Sequence, residues 1–121
     1  MSKNQNIFRR FLFALNGLNT SLKRERSFRT EVILGILAVG LLFYLKASAV
    51  WWAIFLILIG SIFSFELINT AIENMLDHLH PDHHELVGLA KDCGAAAVFV
   101  MSVISVIVFF IFLFDAAYLG H

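Results

Sequence analysis

The sequence is poor in the residues that interrupt helices and cross-link loops. Its 121 residues include one proline, Pro81, and one cysteine, Cys93. A lone cysteine cannot form a disulfide within the chain and supplies no paired spacing of metal ligands. The scarcity of turn residues argues against an ordinary soluble fold with many loops. The phosphate-binding motif GxxxxGK[ST] is also absent, which excludes a nucleotide site of that common kind.

Apolar side chains, by contrast, are abundant: 60% of the residues are hydrophobic, and thirteen residues are phenylalanine. A lipid bilayer is a better solvent than water for a chain of this composition. The formal net charge is zero, yet seven of the nine basic residues precede Val32, against only Glu25 and Glu31 among the nine acidic ones. By the positive-inside rule, this asymmetry predicts a cytoplasmic N-terminus.

The hydrophobic pattern divides the chain into one surface segment and three membrane crossings. Residues from about 5 to 25 place apolar and basic groups on different helical faces, which predicts an amphipathic helix on the membrane surface. Three apolar runs follow, each long enough to span a bilayer. We therefore predict an all-α integral membrane protein. The predicted segments are a first crossing at about 28–46, a second at about 49–77 with a cytoplasmic extension, a loop at 78–85 and a third crossing at about 90–115.

The stretch FELINTAIENMLD ends the second apolar run and carries Glu66, Asn69 and Glu73. Offsets of three and seven residues return to nearly the same side of a helix, so all three side chains can face one site. Glu66 lies about 25 Å along the helix from Ala49, close to the inner edge of a hydrocarbon layer roughly 30 Å thick. An ionisable group at such a depth is a functional candidate, because burying it is expensive.

These residue types suit phosphate chemistry. Carboxylate and amide oxygens are ligands that Mg²⁺ prefers, and a lysine such as Lys91 can hold a phosphate as a point charge. A separate carboxylate at the depth of lipid headgroups can remove a proton from a lipid hydroxyl. The same charges can also do no more than mark the ends of membrane helices. A non-enzymatic transporter or assembly subunit is a further alternative, although a transporter would hold its acidic residue nearer the bilayer midplane.

Three segments resemble the small prokaryotic diacylglycerol kinases, a family that includes the undecaprenol kinases. They are RERSFRTE, ELINTAIENMLD and HHELVGLAKDCGAAAV, and the resemblance extends over nearly the whole chain from about Phe13. It implies a homotrimer in which each subunit has a surface helix and three membrane helices. It also implies transfer of the ATP γ-phosphate to a lipid hydroxyl at the cytoplasmic face of the bacterial inner membrane, and no nucleic-acid partner.

Matched position by position, the resemblance assigns the general base to Glu66 and an active-site asparagine to Asn69. The metal-binding glutamates, taken to hold Mg²⁺, fall on Glu25 and Glu73. The loop HLHPDHHE contains four histidines, which on their own could suggest a zinc site. The resemblance makes a nucleotide lid the better interpretation of these histidines. The positions that match nucleotide-contacting residues of the family are Asp82, His83, His84, Lys91 and Asp92.

Two positions depart from the family pattern. The arginine expected in the surface helix has no clear counterpart, because Arg9 and Arg10 lie too close to Gly17. Phe13 occupies a position where the family often has an aromatic residue with a hydroxyl group. The motifs give conflicting indications of the lipid that accepts the phosphate. The second crossing is more similar to undecaprenol kinases, and the third is more similar to diacylglycerol kinases. We expect diacylglycerol as the acceptor, with undecaprenol as the alternative.

Overall fold

The computed structural model describes residues 6–119. Within this range the chain contains helices and no strand, as predicted for an all-α protein. Three of the helices are long and apolar enough to cross a membrane by length and composition. The elements are α1 (Ile7–Arg24), α2 (Arg26–Tyr44), α3 (Ala49–Leu79), α4 (Glu85–Phe114) and a π-helical turn (Asp115–Leu119).

Helix α1 is amphipathic and is joined to α2 by a sharp break at Glu25. Its N-terminus is capped by Asn6, whose side chain accepts from the backbone N–H of Arg9 at 2.8 Å. At its C-terminus, Nη1 of Arg29 donates to the carbonyl oxygens of Leu22 and Lys23, at 3.0 and 2.9 Å. These bonds satisfy carbonyls that a helix end leaves free, and they fix α1 against the start of α2. Gln5, the first residue of the predicted surface segment, lies outside the described residues.

The turn between α2 and α3 is tight and closes by backbone hydrogen bonds. Ala47 N–H donates to Leu42 O at 3.0 Å, and Lys46 N–H donates to Phe43 O at 3.2 Å, which together form a Schellman motif. This motif places Lys46 in the left-handed conformation, with φ 53°. The turn therefore ends α2 two residues before the boundary expected from hydropathy.

Helix α3 is the longest element and packs most extensively against α4. Its 31 residues span about 46 Å, which exceeds a hydrocarbon layer of roughly 30 Å. Helix α4 begins at Glu85, five residues before the expected position, because the ring of His84 caps it by accepting from Leu86 N–H at 3.1 Å. The connecting loop is thereby reduced to residues 80–84.

The hydrophobic core lies at the end of the bundle where α2 and α4 terminate and α3 begins. Leu42, Phe55 and Phe112 are buried there. The indole of Trp51 meets the Phe112 ring edge-on at 5.1 Å, and its Nε1 donates to Asp115 Oδ2 at 3.0 Å. This aromatic end fixes the relative positions of the three long helices, and the candidate site lies at the opposite end.

Candidate functional site

The site is centred on Glu66, which stands in the second half of α3. Its side chain is only 6% exposed, and it is the one carboxylate that is buried among the described residues. A buried ionisable group costs stability unless its surroundings compensate for the lost water. Such a position is therefore more typical of function than of packing.

Helix α2 packs against α3 one turn before Glu66. Phe28 is buried and its ring lies 5.5 Å from that of Phe63, one turn before Glu66 on α3. Glu25 and Glu31 stand three residues before and after Phe28, so all three positions share one side of the chain. The negative charges of Glu31, Glu25 and Glu73 act on the Glu66 carboxylate. The structure thus gathers carboxylates from α2 and α3 at one end of the bundle.

Glu31 was not among the site residues expected from the sequence. It lies in α2, lines the apolar cavity between α2, α3 and α4, and is one of the acidic groups whose charges act on Glu66. A signal was present: Glu31 follows Glu25 by six residues, with Phe28 midway, and spacings of three keep residues on one helical face. Because no local pattern shows which helix that face contacts, the sequence alone gives no reason to include Glu31 in the site.

Asn69 and Glu73 are joined directly. Nδ2 of Asn69 donates to Glu73 Oε1 at 3.2 Å, across one turn of α3. The other amide atom, Asn69 Oδ1, is buried without a hydrogen-bond partner among the described residues. Glu66, Asn69 and Glu73 therefore lie along one stripe of α3, as the helical spacing predicted.

Lys91 reaches the same stripe from α4. Its Nζ forms an ion pair with Asp77, four residues after Glu73. Both side chains are substantially exposed, at 37% and 62%, so the pair contributes little stability and the ammonium can exchange partners. Asp92, by contrast, is exposed on α4. Among the described residues, Lys91 therefore has an ion pair with the acidic stripe, and Asp92 has none.

The other predicted nucleotide contacts lie at the edge of this site. Asp82 and His83 are exposed in the loop, while His84 uses Nδ1 to cap α4. Arg9 and Arg10 are exposed in the first turns of α1. Sixteen residues of mostly helical chain separate Arg9 from Glu25, about 24 Å along the axis, so these arginines lie far from Glu25.

An apolar cavity of about 450 Å³ runs between α2, α3 and α4 from the acidic cluster toward the aromatic end. Its lining includes Ile62, one turn before Glu66, and Glu31 at the polar limit. A cavity of this size and apolar character suits a hydrocarbon chain or an aliphatic ligand. It is lined, among others, by Glu31, Gly35, Leu41, Ile62, Ser102 and Phe109.

The donor atoms of the site fit a hard cation. Glu25, Glu66 and Glu73 offer oxygen ligands only, which is the chemistry that Mg²⁺ requires. No group of three or more His, Cys, Asp or Glu within residues 6–119 could by itself hold a metal ion. Mg²⁺ is commonly held by one or two carboxylates together with substrate phosphates and water. A pair such as Glu25 and Glu73 supplies the number and type of protein ligands that such a site needs.

Most of the chain is similar in sequence to known proteins. Residues 12–113 match the family model described as prokaryotic diacylglycerol kinase. The undecaprenol kinase of Bacillus subtilis is 38% identical over 101 residues, covering 84% of this chain and 82% of that protein. The diacylglycerol kinase of Haemophilus influenzae is 33% identical over 88 residues, covering 73% and 75%. The diacylglycerol kinase of Escherichia coli K12 is 31% identical over 103 residues, covering 85% and 84%.

Proposed function

The chain belongs to the prokaryotic diacylglycerol kinase family and is a lipid kinase, and we propose that it transfers the γ-phosphate of ATP to the hydroxyl group of a membrane lipid. The observation that supports this best is the position of Glu66. Its carboxylate is buried one turn beyond Ile62, which lines the apolar cavity, and the charges of nearby acidic groups act on it. Further along the same helix, Asp77 pairs with Lys91. Such a site offers apolar space for a lipid chain and charged groups for a nucleotide.

In this proposal Glu66 is the general base. A lipid lying in the cavity would present its hydroxyl group at the polar limit, where Glu31 and Ile62 stand. Glu66 would accept the hydroxyl proton as the oxygen attacks the γ-phosphorus, and the bond to the β-phosphate oxygen breaks as the new bond forms.

The nucleotide would be held by groups from three elements. Glu25 and Glu73 would hold Mg²⁺, which when bound neutralises phosphate charge. Lys91 would exchange Asp77 for a phosphate oxygen. Asp92 and the loop residues Asp82, His83 and His84 would contact the remainder of the nucleotide, and Asn69 would hold Glu73 in place.

The acceptor we propose first is diacylglycerol, and undecaprenol is the second candidate. The second candidate is favoured by one observation: the relative named undecaprenol kinase is more identical to this chain than the two diacylglycerol kinases compared above. Both lipids are long-chain alcohols, and the cavity of about 450 Å³ between α2, α3 and α4 has room for part of one hydrocarbon chain of either.

We further propose an oligomeric state and a membrane orientation for the protein. The protein would form a homotrimer in the bacterial inner membrane with the N-terminus and the acidic cluster facing the cytoplasm. The basic residues before Val32 support this orientation. The many apolar side chains left exposed on α2, α3 and α4 support contact with lipid and with further helices.

The decisive experiment is a direct comparison of the two acceptors. Purified protein in mixed micelles receives ATP and Mg²⁺ with equal mole fractions of diacylglycerol or undecaprenol, and labelled phosphate in the lipid fraction is measured. We expect the larger kcat/KM for diacylglycerol. A clear preference for undecaprenol would replace the proposed acceptor and leave the lipid-kinase activity intact. Phosphorylation of neither lipid would contradict the reaction itself.

A further inference from the structure

Gly94 of α4 lies directly against the carboxamide of Asn69. A Cβ atom built on Gly94 would overlap Asn69 Oδ1 and stand 3.3 Å from Cγ and 3.9 Å from Cβ of the same side chain. Asn69 Oδ1 and Cγ therefore occupy space that any other residue at position 94 would fill. The close approach of α4 to α3 at this level depends on the missing side chain.

No other described glycine has such a contact. A Cβ added at Gly17, Gly40, Gly60 or Gly88 would meet nothing within 4 Å, and at Gly35 it would meet ordinary van der Waals neighbours at 3.6 Å. The tight contact is therefore confined to the one glycine that faces the acidic stripe. General close packing of small residues would not single out this position.

The orientation of the Asn69 amide is fixed from two sides. Its Nδ2 donates to Glu73 Oε1 at 3.2 Å, while its Oδ1 is buried against Gly94 without a hydrogen-bond partner in the described part of the chain. Rotating the amide by half a turn would put Oδ1 against the Glu73 carboxylate, where two acceptors repel. A buried acceptor left unpaired is costly, so only a close-fitting surrounding keeps the amide in this place.

We propose that Gly94 is a positioning residue that acts through Asn69 on the carboxylate of Glu73. Gly94 leaves the space in which the amide lies, and the amide holds Oε1 of Glu73 by a hydrogen bond from Nδ2. The inference rests on the proposed function, in which Glu73 holds Mg²⁺. A side chain at position 94 would push the carboxamide off its place and release the Glu73 carboxylate, although position 94 itself touches neither substrate nor metal.

The test is Gly94→Ala, with Gly60→Ala as the matched control. Both changes add one methyl group to a membrane helix, but Gly60 is exposed and has open space around its Cα. Changing a partner that orients a metal ligand typically weakens metal affinity by about 10-fold or more. We therefore expect Gly94→Ala to raise the Mg²⁺ concentration for half-maximal rate by about 10-fold and Gly60→Ala to leave it unchanged. An unchanged Mg²⁺ response in Gly94→Ala would overturn the proposal.

A double-mutant cycle separates positioning from simple packing. In Asn69→Ala the carboxamide is gone, so an added methyl group at position 94 finds free space. We expect Gly94→Ala to lower the midpoint of thermal unfolding in detergent micelles in the parent protein and to leave it unchanged in Asn69→Ala. Equal losses in both backgrounds would show that Gly94 acts through other neighbours and would overturn the proposal. This readout needs no activity from the Asn69 variant.

Glu73→Gln distinguishes failure of this inference from failure of the assigned function. If Glu73→Gln shifts the Mg²⁺ response and Gly94→Ala does not, the role of Gly94 is wrong and that of Glu73 stands. If neither variant shifts it while lipid phosphorylation continues, the metal role of Glu73 is wrong and the role of Gly94 falls with it.

Discussion

The two ends of the helix bundle are built on opposite principles. At the aromatic end, Leu42, Phe55 and Phe112 are buried together, and the indole N–H of Trp51 finds a carboxylate acceptor in Asp115. At the acidic end, a buried carboxylate, Glu66, is surrounded by like charges, and Asn69 Oδ1 is buried unpaired among the described residues. Apolar packing and a satisfied hydrogen bond stabilise the folded state at the aromatic end. Like charges and an unpaired buried acceptor destabilise it at the acidic end.

This difference shows how one small bundle divides two tasks. Edge-on aromatic pairs contribute about 0.5–1.5 kcal/mol each, and close packing and hydrogen bonds hold helices together in a membrane, so the aromatic end stabilises the bundle. The acidic end gathers carboxylates whose charges repel one another. Unfavourable arrangements of this kind collect at functional sites and are tolerated because other regions compensate.

Glu66→Gln should break the acidic end with the largest effect on activity. Removing a general base lowers the rate by about 10²- to 10⁴-fold, and we expect a loss in this range for lipid phosphorylation. The unfolding midpoint should not fall, since the neutral amide relieves like-charge repulsion with Glu31 and Glu25. Glu85→Gln, at the exposed start of α4, is the matched control and should retain activity. Near-normal activity in Glu66→Gln would remove it as the base.

Glu73→Gln should weaken the response to Mg²⁺. Glutamine retains an Oε1 that can accept from Asn69 Nδ2, so the local geometry is preserved while the charge is lost. Loss of a ligating charge should raise the half-maximal Mg²⁺ concentration by at least about 10-fold, with little change in the KM for lipid. The measurement is a Mg²⁺ titration at saturating lipid, and a shift confined to the lipid KM would contradict the metal role.

Trp51→Phe should damage the aromatic end and leave the acidic end untouched. Phenylalanine keeps the ring contacts with Phe55 and Phe112 but loses the donor to Asp115. We expect a loss of about 1 kcal/mol in unfolding free energy and unchanged kcat per folded molecule. Trp52→Phe, which alters an edge-on contact with Phe43, is the control and should cost less. A fall in kcat would show that the two ends are coupled.

Much of this division could be read from local sequence patterns. Uninterrupted apolar runs predicted the three long helices, because a bilayer requires about 20 apolar residues per crossing. Helical periodicity placed Glu66, Asn69 and Glu73 on one stripe, and the Asn69–Glu73 hydrogen bond follows that spacing. These features depend on neighbours within one or two turns of the same helix, which is the range that a sequence pattern encodes.

Contacts between elements were beyond such patterns. The partner of Lys91 is Asp77, fourteen residues away across the loop, and the early start of α4 depends on the ring of His84. Glu31 lies on the helix whose Phe28 packs against Phe63 of α3. Each of these features is set by how two helices meet, and many helix pairings are compatible with the same periodicity.

Lys46→Gly should produce the smallest effect and sharpen the account of the aromatic end. Lys46 holds the left-handed position of the α2–α3 turn, with φ 53°, where a side chain costs about 1 kcal/mol and glycine costs almost nothing. The matched control is Lys46→Ala, which removes the same charge but keeps a Cβ. We expect the glycine variant to be more stable than the alanine variant by about 1 kcal/mol in reversible unfolding from micelles. Equal stability of the two variants would mean that the backbone of the turn is not strained at Lys46.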